Sequence, residues 1–431
     1  MLTIAFVLFA LQLSATASPS PAFGGVHHIE LTRRRPLNAT RNAPVDIEKL
    51  SAETASILGK YDAGFDAFLE NTGKTHSLVD SITNNNKSKR AVGNSQIVDD
   101  GDSLWIGLLA IGTSNPQQTF IVGFDTGSAS TLVLSSACTS ADCQPHRRYN
   151  PALSSTSRNL NKPFTLKMSN TDSVSGAQYA DTVKVDVLQA SGQVFGAANA
   201  FPKAFKTYPN EPGGLVGMAY GSISAYKGST SFPQTLVAQG AMTDPVFAFR
   251  LTSGSGSQLT IGGTDQAAYT GAVTYVPVTS RGFWQVTLDG VTVSIPPGGG
   301  GVAAPPQTAV GRTQAILDTG SQYIIGDPGN VAKLYAAIPG SAALGNGMYS
   351  YPCATSPTVS LVFGGVAFPI DPSLFCAGSV PQNGDLCVGA VVAAPQTKPP
   401  QRFWSVGDVF LQNVYSIFDL GQNRVGFATP A

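Results

Sequence analysis

The chain is predicted to be an all-β protein built from two related lobes, and its composition and a repeated motif carry this prediction. Only 12% of the 431 residues are charged and 46 are glycine, and β-branched residues are common, as is typical of strands joined by turns. An apolar run ending in Asp-Thr-Gly-Ser occurs twice, within residues 124–128 and 317–321. Gly217 lies 90 residues after the glycine of the first copy, and Gly407 lies 87 residues after that of the second. Because both late glycines follow apolar residues, we expect two similar halves.

The first segment, residues 1–17, is an almost uninterrupted apolar run. It ends in Ala15-Thr16-Ala17, a small-x-small pattern typical of signal-peptide cleavage. The run is short for a membrane helix, and no later segment is long and apolar enough to span a bilayer. We therefore expect a soluble, secreted protein, with a vacuolar location as the alternative.

The second segment, residues 18–90, differs from the rest in composition. It contains three of the four histidines and ten basic residues against eight acidic ones. Spaced apolar positions within residues 46–70 predict one or two helices. The segment ends in Lys89-Arg90 after a polar stretch, which is typical of an exposed processing site. We therefore expect residues 18–90 to be removed.

The repeated motif places one carboxylate, Asp125 or Asp318, on a turn after each predicted strand. Two carboxylates held close together cannot both ionise easily, so they share a proton and act as a general base and a general acid. We expect the short hydroxyls of Thr126 and Thr319 to lock the two loops together. Gly127 and Gly320 should let backbone N–H groups approach the carboxylates, and Ser128 and Ser321 should each add a further donor.

Other kinds of site fit the sequence less well. Asp, Gly and Ser also favour ordinary turns, but two copies in matching contexts favour a site. The only histidine after residue 90 is His146, in a predicted loop, which argues against Ser-His or Cys-His catalysis and against a His-rich metal site. No basic patch indicates nucleic-acid binding. We expect no cofactor and no metal.

At these residues the chain resembles the pepsin-like aspartic peptidases, over roughly residues 91–431. Beyond the two Asp-Thr-Gly-Ser loops, the resemblance rests on several short matches: Gly262-Gly263-Thr264-Asp265, Tyr269-Thr270-Gly271, Phe283-Trp284, Gly407-Asp408-Val409-Phe410-Leu411, Tyr415 and Phe418-Asp419. It implies a bilobal pepsin-like fold with the active-site cleft between pseudo-twofold-related lobes, residues 91–276 and 277–431.

The same resemblance implies a function. The chain is expected to be an aspartic endopeptidase that hydrolyses protein or peptide substrates at acid pH, favouring hydrophobic residues at the scissile bond. Asp125 and Asp318 would be its catalytic residues. Residues 18–90 would be an inhibitory propeptide, whose cations neutralise the carboxylates until acid protonates them. We expect a monomer.

The five cysteines predict disulfides, since an exported protein matures in an oxidising environment. Cys138 and Cys143 are close in sequence and predict a small-loop bridge. Of the other three, the resemblance favours Cys353–Cys387 and leaves Cys376 over. Cys353–Cys376 is the competing bridge, and the sequence leaves the choice open.

Helices are predicted to be few after residue 90. A short one is expected at Pro233 to Gln239, with Ser231 near its start. A clearer one begins with Asp327 as N-cap and Pro328 at the first helical position. The lobe boundary is expected near residues 274–279.

The chain departs from the family where a hairpin flap covers the two carboxylates. The flap tyrosine position holds Met168, followed by Ser169 and Asn170, and the position of its tryptophan partner holds Leu132. Met168 and Leu132 are interpreted as an apolar pair that replaces a hydrogen-bonded one.

The altered flap leaves an alternative of another class, a pepsin-fold binding or decoy protein with little or no activity. The intact pair of Asp-Thr-Gly-Ser loops favours the peptidase. A carboxylate-pair glycosidase is a third interpretation, but it requires carboxylates that flank a sugar rather than two symmetric turns.

Overall fold

The computed structural model describes residues 25–33, 43–79, 105–144, 146–167, 173–200, 212–297, 305–395 and 403–431. Several sequence predictions lie outside these residues: the signal segment 1–17, the Lys89-Arg90 pair, and the flap residues Met168, Ser169 and Asn170.

Strands dominate the described residues, as the predicted all-β class requires. The strands before residue 262 are β1 His27–Arg33, β2 Trp105–Ile111, β3 Gln118–Asp125, β4 Leu132–Leu134, β5 Arg158–Lys167, β6 Ser173–Val185, β7 Leu188–Ala200, β8 Gly214–Gly217, β9 Val246–Arg250 and β10 Ser257–Ile261. The later strands are β11 Tyr269–Arg281, β12 Trp284–Leu288, β13 Gly290–Ser294, β14 Gln307–Val310, β15 Thr313–Leu317, β16 Ile324–Gly326, β17 Ala342–Gly345, β18 Met348–Pro352, β19 Thr358–Phe363, β20 Val366–Pro369, β21 Cys376–Val380, β22 Asn383–Gly389, β23 Val391–Ala393, β24 Phe403–Val406, β25 Tyr415–Asp419 and β26 Arg424–Pro430.

The helices are short, with one exception. They are α1 Ile47–Thr72, α2 Phe232–Ala238, α3 Pro328–Ala336, α4 Pro372–Phe375 and α5 Asp408–Leu411. The predicted starts of α2 and α3 are confirmed, since Ser231 and Asp327 are their N-caps and the Asp327 carboxylate accepts a hydrogen bond from the Asn330 amide.

The segment expected to hold one or two helices forms the single 26-residue helix α1. The Asp46 carboxylate caps its first turn by accepting from the Lys49 amide at 3.0 Å. Gly73 ends it in the left-handed conformation, with φ 69°, and its N–H donates to Leu69. One stripe of α1, including Leu50, Ile57 and Phe65, is buried in the main hydrophobic core.

Two strand arrangements repeat, and they explain the sequence repeat. In the first half β3 is parallel to β8, and β8 is antiparallel to β4. In the second half β15 is parallel to β24, and β24 is antiparallel to β16. The all-β, bilobal fold class predicted from the motif is therefore confirmed.

The late glycine of each half lies where another loop crosses it. Gly217 pairs with Asp125 across β8 and β3. A Cβ atom at Gly217 would overlap the Ala129 backbone, and one at Gly407 would overlap the carbonyl of Ser321. A side chain at either position would push away the loop that carries the carboxylate.

A central sheet joins the halves through β9, β10, β25, β26 and the first part of β11. The second part of β11 pairs with β12 in the C-terminal half. The expected boundary at residues 274–279 therefore falls inside one continuous strand.

The segment predicted to be removed is built into this architecture. Strand β1 lies between β10 and β2, pairing Ile29 with Leu259 and Arg33 with Trp105. Farther along, Ser379 of β21 exchanges two backbone hydrogen bonds with Ala43 and Val45, at 3.1 and 2.9 Å. No helix among the described residues is long and apolar enough to cross a membrane.

Candidate active site

The two motif carboxylates meet in the interior between the halves. Asp125 is the last residue of β3 and is 2% exposed, and Asp318 directly follows β15 and is fully buried. A Cβ atom on Gly127 would collide with the Asp318 carboxylate, and one on Gly320 would collide with that of Asp125. The glycines therefore allow each loop to pack against the other loop's carboxylate.

Each carboxylate also accepts a hydrogen bond from its own loop. The Gly127 amide donates to Asp125 Oδ1 at 2.8 Å, and the Gly320 amide donates to Asp318 Oδ1 at 2.9 Å. These bonds fix the carboxylate planes and favour the ionised form.

The two threonines of the motif cross-link the loops. The Thr126 hydroxyl donates to the Leu317 carbonyl at 2.9 Å and accepts from the Thr319 amide at 3.0 Å. The Thr319 hydroxyl does the same in reverse, donating to the Phe124 carbonyl at 2.8 Å and accepting from the Thr126 amide at 3.0 Å. Four buried hydrogen bonds thus hold the carboxylates in register across the pseudo-twofold axis.

The serines of the motif differ from each other. The Ser128 hydroxyl is buried and has no hydrogen-bond partner among the described residues. The Ser321 hydroxyl instead donates to the Tyr323 carbonyl at 3.2 Å. The expectation of one further donor per carboxylate is therefore wrong for Ser321, because its own turn takes up the hydroxyl.

Helix α1 places a cation on the carboxylate pair. Lys60 Nζ lies 2.9 and 2.8 Å from the two Asp318 oxygens and 3.2 and 3.4 Å from those of Asp125. The neighbouring Tyr61 hydroxyl donates to Asp318 and lies 2.6 Å from the Ser405 hydroxyl on β24. Lys60 and Tyr61 therefore occupy the space in front of the pair.

The surroundings separate the pKa values of the two carboxyl groups. Burial raises the pKa of Asp318 to about 6, with Lys60 opposing the rise and the Asp125 charge adding to it. Burial also acts to raise the pKa of Asp125, but the Lys60 charge, Asp318 and the hydrogen bond from the Gly127 amide hold it below its usual value. Asp125 is thus the more acidic member, and Asp318 is the member that keeps a proton.

Another buried carboxylate, Asp408, lies close enough to Asp318 for their charges to interact. Trp105 Nε1 donates to its Oδ1 at 2.8 Å, and Arg33 of β1 lies 3.5 Å from its Oδ2. Burial raises the pKa of Asp408 to about 7 despite the Arg33 charge. The sequence places Asp408 in a family motif but gives no sign of this contact, because Arg33 and Trp105 are distant in the chain.

Of the predicted Met168–Leu132 flap pair, the structure describes only Leu132, since Met168 lies outside the described residues. Leu132 is buried in a small apolar cluster with Phe164, Val174 and Tyr226. The Tyr226 hydroxyl of this cluster donates to the Thr131 carbonyl at 3.0 Å, so this buried hydroxyl is already satisfied.

The cysteines form one simple disulfide and one crowded cluster. Cys138 and Cys143 are bonded to each other. In the C-terminal half, Cys387 lies in bonding contact with both Cys353 and Cys376. The competitor for the expected Cys353–Cys387 bridge is therefore Cys376–Cys387, not the predicted Cys353–Cys376.

Comparison with known proteins places this geometry in a family. The profile described as eukaryotic aspartyl protease matches residues 104–430. An aspartic protease of Phaffia rhodozyma is 41% identical over 349 residues, covering 79% of this chain and 80% of the relative. Gastricsin of Mus musculus is 34% identical over 333 residues, covering 76% and 81%, and pepsin A of Sus scrofa is 33% identical over 335 residues, covering 77% and 82%.

The profile match spans both carboxylates, the threonine cross-links and the repeated strand arrangement. The chain therefore belongs to the eukaryotic aspartyl protease family and is an aspartic-type endopeptidase.

Proposed function

We propose that this enzyme cleaves peptide bonds in acid through Asp125 and Asp318, which activate a water molecule as a proton-sharing pair. The observation that carries the proposal is the buried, cross-linked pair with separated pKa values. The ionised Asp125 takes a proton from water while the protonated Asp318 donates one to the substrate carbonyl oxygen, and the water oxygen bonds to the carbonyl carbon. Asp125 then gives its proton to the leaving amine as the C–N bond breaks, and Asp318 takes a proton back from the tetrahedral intermediate.

This proposal is tested by replacing each carboxylate with its neutral isostere. Asp125→Asn and Asp318→Asn each remove one acid–base role, so either should lower kcat/KM on a denatured protein at acid pH by roughly 10³-fold or more. The exposed Asp244→Asn is a matched control that should keep full activity. Substantial activity in either site variant would refute the two-carboxylate mechanism. Peptide binding without hydrolysis by the parent chain would favour the decoy interpretation.

We propose further that residues 18–90 are an inhibitory propeptide that blocks the pair through Lys60 and Tyr61. Lys60 contacts both carboxylates, and Tyr61 packs edge-on against Phe283 and Phe403 at ring-centroid distances of 5.4 and 5.3 Å. These aromatic walls also support the preference for hydrophobic residues beside the scissile bond.

The inhibitory contact is tested in the full-length chain. Lys60→Met leaves two buried carboxylates without their counter-charge, so α1 should dock less tightly. Cleavage of a fluorogenic peptide at about pH 6 should rise by at least about tenfold. Lys74→Met changes an exposed lysine just beyond α1 and should leave latency intact. Equal latency in both variants would show that Lys60 does not hold the block.

Secretion and processing complete the proposal. The apolar segment 1–17, the Lys89-Arg90 pair and the Cys138–Cys143 disulfide support export and cleavage before a monomeric enzyme acts. Mass spectrometry of the medium should find an N-terminus at or near Ala91 on the active form. A fully active secreted enzyme that retains residues 18–90 would contradict processing, and retention of the active enzyme in the vacuole would favour the alternative location.

A further inference from the structure

Five cysteines cannot all pair within one chain, and the structure shows where the odd one lies. With Cys138 bonded to Cys143, the sulfurs of Cys353, Cys376 and Cys387 remain, and all three lie within 4.8 Å of one another. One of these three sulfurs must always be left without an intramolecular partner.

The strand order explains why Cys387 is the shared member. It lies on β22, the middle strand between β18 and β21, opposite Tyr351 on one side and Ser379 on the other. Cys353 directly follows β18, and Cys376 begins β21. The strands on either side of β22 thus each place one cysteine next to the Cys387 sulfur.

Both bridges fit the backbone without movement. The Cα atoms of Cys353 and Cys387 are 5.0 Å apart, and those of Cys376 and Cys387 are 5.6 Å apart. Both distances lie inside the usual disulfide range of about 4.4–6.8 Å.

The two bridges differ in the thiol they leave over. A Cys353–Cys387 bridge leaves Cys376, which is 5% exposed and shielded from reagents. A Cys376–Cys387 bridge leaves Cys353, which is half-buried and lies beside the Gly384 carbonyl at the start of the exposed β22 end. Accessibility of a thiol therefore reports which bridge is present.

We propose that Cys353, Cys376 and Cys387 form a thiol–disulfide exchange site, whose outer sulfur, Cys353, accepts small aliphatic disulfides from solution. In the internal step the Cys376 thiolate attacks Cys387 Sγ of the Cys353–Cys387 bridge. A Cys376–Cys387 bond forms, the Cys353–Cys387 bond breaks, and Cys353 leaves with the electron pair. The proton lost by Cys376 passes to solvent, and no external oxidant is consumed.

The external step uses the released Cys353 thiolate. It attacks one sulfur of an aliphatic disulfide, forms a mixed disulfide, and expels the other half as a thiolate. The exchange site therefore lies entirely in the C-terminal half and does not use the two carboxylates that are proposed to cleave peptides.

The exchange is measured on the full-length chain at neutral pH, without reductant. Iodoacetamide is added, samples are quenched with acid, and unreduced digests are mapped by mass spectrometry. Carbamidomethyl-Cys353 should accumulate over time while the Cys353–Cys387 peptide disappears and the Cys376–Cys387 peptide grows in parallel. Bis(2-hydroxyethyl) disulfide should form its mixed disulfide at Cys353 with the same slow step.

Matched serine variants isolate the internal step. Cys376→Ser locks the Cys353–Cys387 bridge and should lower the rate of Cys353 labelling by at least about tenfold. Cys353→Ser should leave Cys376–Cys387 intact and unlabelled.

The time course of labelling in the unmodified chain tests the proposal even if a serine variant fails to fold. Absence of native labelling with a persistent Cys353–Cys387 peptide would overturn the proposal, as would labelling confined to Cys376. Complete labelling of Cys353 in one fast phase, with only Cys376–Cys387 present from the start, would overturn it as well.

Discussion

Thr126 and Thr319 show how a single hydroxyl can serve two buried backbone groups at once. Each hydroxyl accepts from an amide of the opposite loop and donates to a carbonyl there. A valine of the same shape would satisfy neither group. Because the site is buried, the lost hydrogen bonds could not be replaced by water.

Thr319→Val should therefore destabilise the fold by about 2–4 kcal/mol, whereas Thr319→Ser, which keeps the hydroxyl, should cost about 1 kcal/mol or less. Urea unfolding at neutral pH, followed by tryptophan fluorescence, measures both changes. If the two variants lose equal stability, the methyl group of Thr319 rather than its hydroxyl carries the effect.

At this scale the sequence predicts the chemistry of adjacent residues well. The Asp, Thr and Gly of each motif have contacts that the motif pattern anticipates. Ser321 and Asp408 do not, because their partners depend on turns and strands whose meeting is decided by tertiary packing. Ser405, which meets the Tyr61 hydroxyl, carries no local signal at all.

At the scale of elements, the turn after α1 holds a buried histidine, His76, whose protonation links the docking of this segment to pH. His76 is 1% exposed and packs among the rings of Phe65, Phe68 and Phe283, with Ser280 Oγ 3.2 Å from its Nε2. Burial lowers the pKa of His76 from 6.5 to about 4. The docked segment therefore holds His76 in its neutral form.

The direction of the pH effect follows from this shift. An undocked His76 binds a proton near pH 6.5 and the docked one only near pH 4, so docking is fully supported above pH 6.5 and weakens as the pH falls towards 4. The shift corresponds to about 3 kcal/mol of docking free energy at its limit.

His76→Phe keeps the aromatic packing and removes the titration. The full-length variant should convert to active enzyme about tenfold more slowly than the parent at pH 4. His146→Gln, on a loop outside this contact, should convert at the parent rate. Peptide cleavage recorded after a rapid pH jump provides the comparison, and an unchanged rate for His76→Phe would remove His76 from the acid response.

The elements themselves were predictable to different degrees. Capping residues located α2 and α3 well, and the apolar spacing located α1, although it did not distinguish one helix from two. Strand β11 changes its partner from β26 to β12 between Pro277 and Val278, inside the range expected for the lobe boundary, but no local signal indicates that one continuous strand crosses it. Strand partners are long-range contacts that the local pattern does not encode.

In the whole molecule, the repeated half was the most predictable feature, and the contacts of residues 25–33 and 43–79 were the least predictable. The motif spacing fixes two related lobes. It gives no indication that β1 completes a sheet between β10 and β2, or that residues 43 and 45 cover β21. The segment therefore contributes stability to both halves as well as covering the site.

Lys60 and Tyr61 also belong to the same chain as the carboxylates they cover, so the proposed inhibitory segment is a tethered ligand. A tethered group acts at an effective concentration set by its connection, commonly in the millimolar range, whatever the amount of protein present. Latency of the uncut chain should therefore be unaffected by dilution. Once the chain is cut after residue 90 the same segment becomes a separate inhibitor, and its hold should weaken as the sample is diluted. Assays of cut and uncut protein over a hundredfold dilution, about nanomolar to sub-micromolar, would separate the two regimes. Dilution-dependent latency in the uncut chain would point instead to inhibition between molecules.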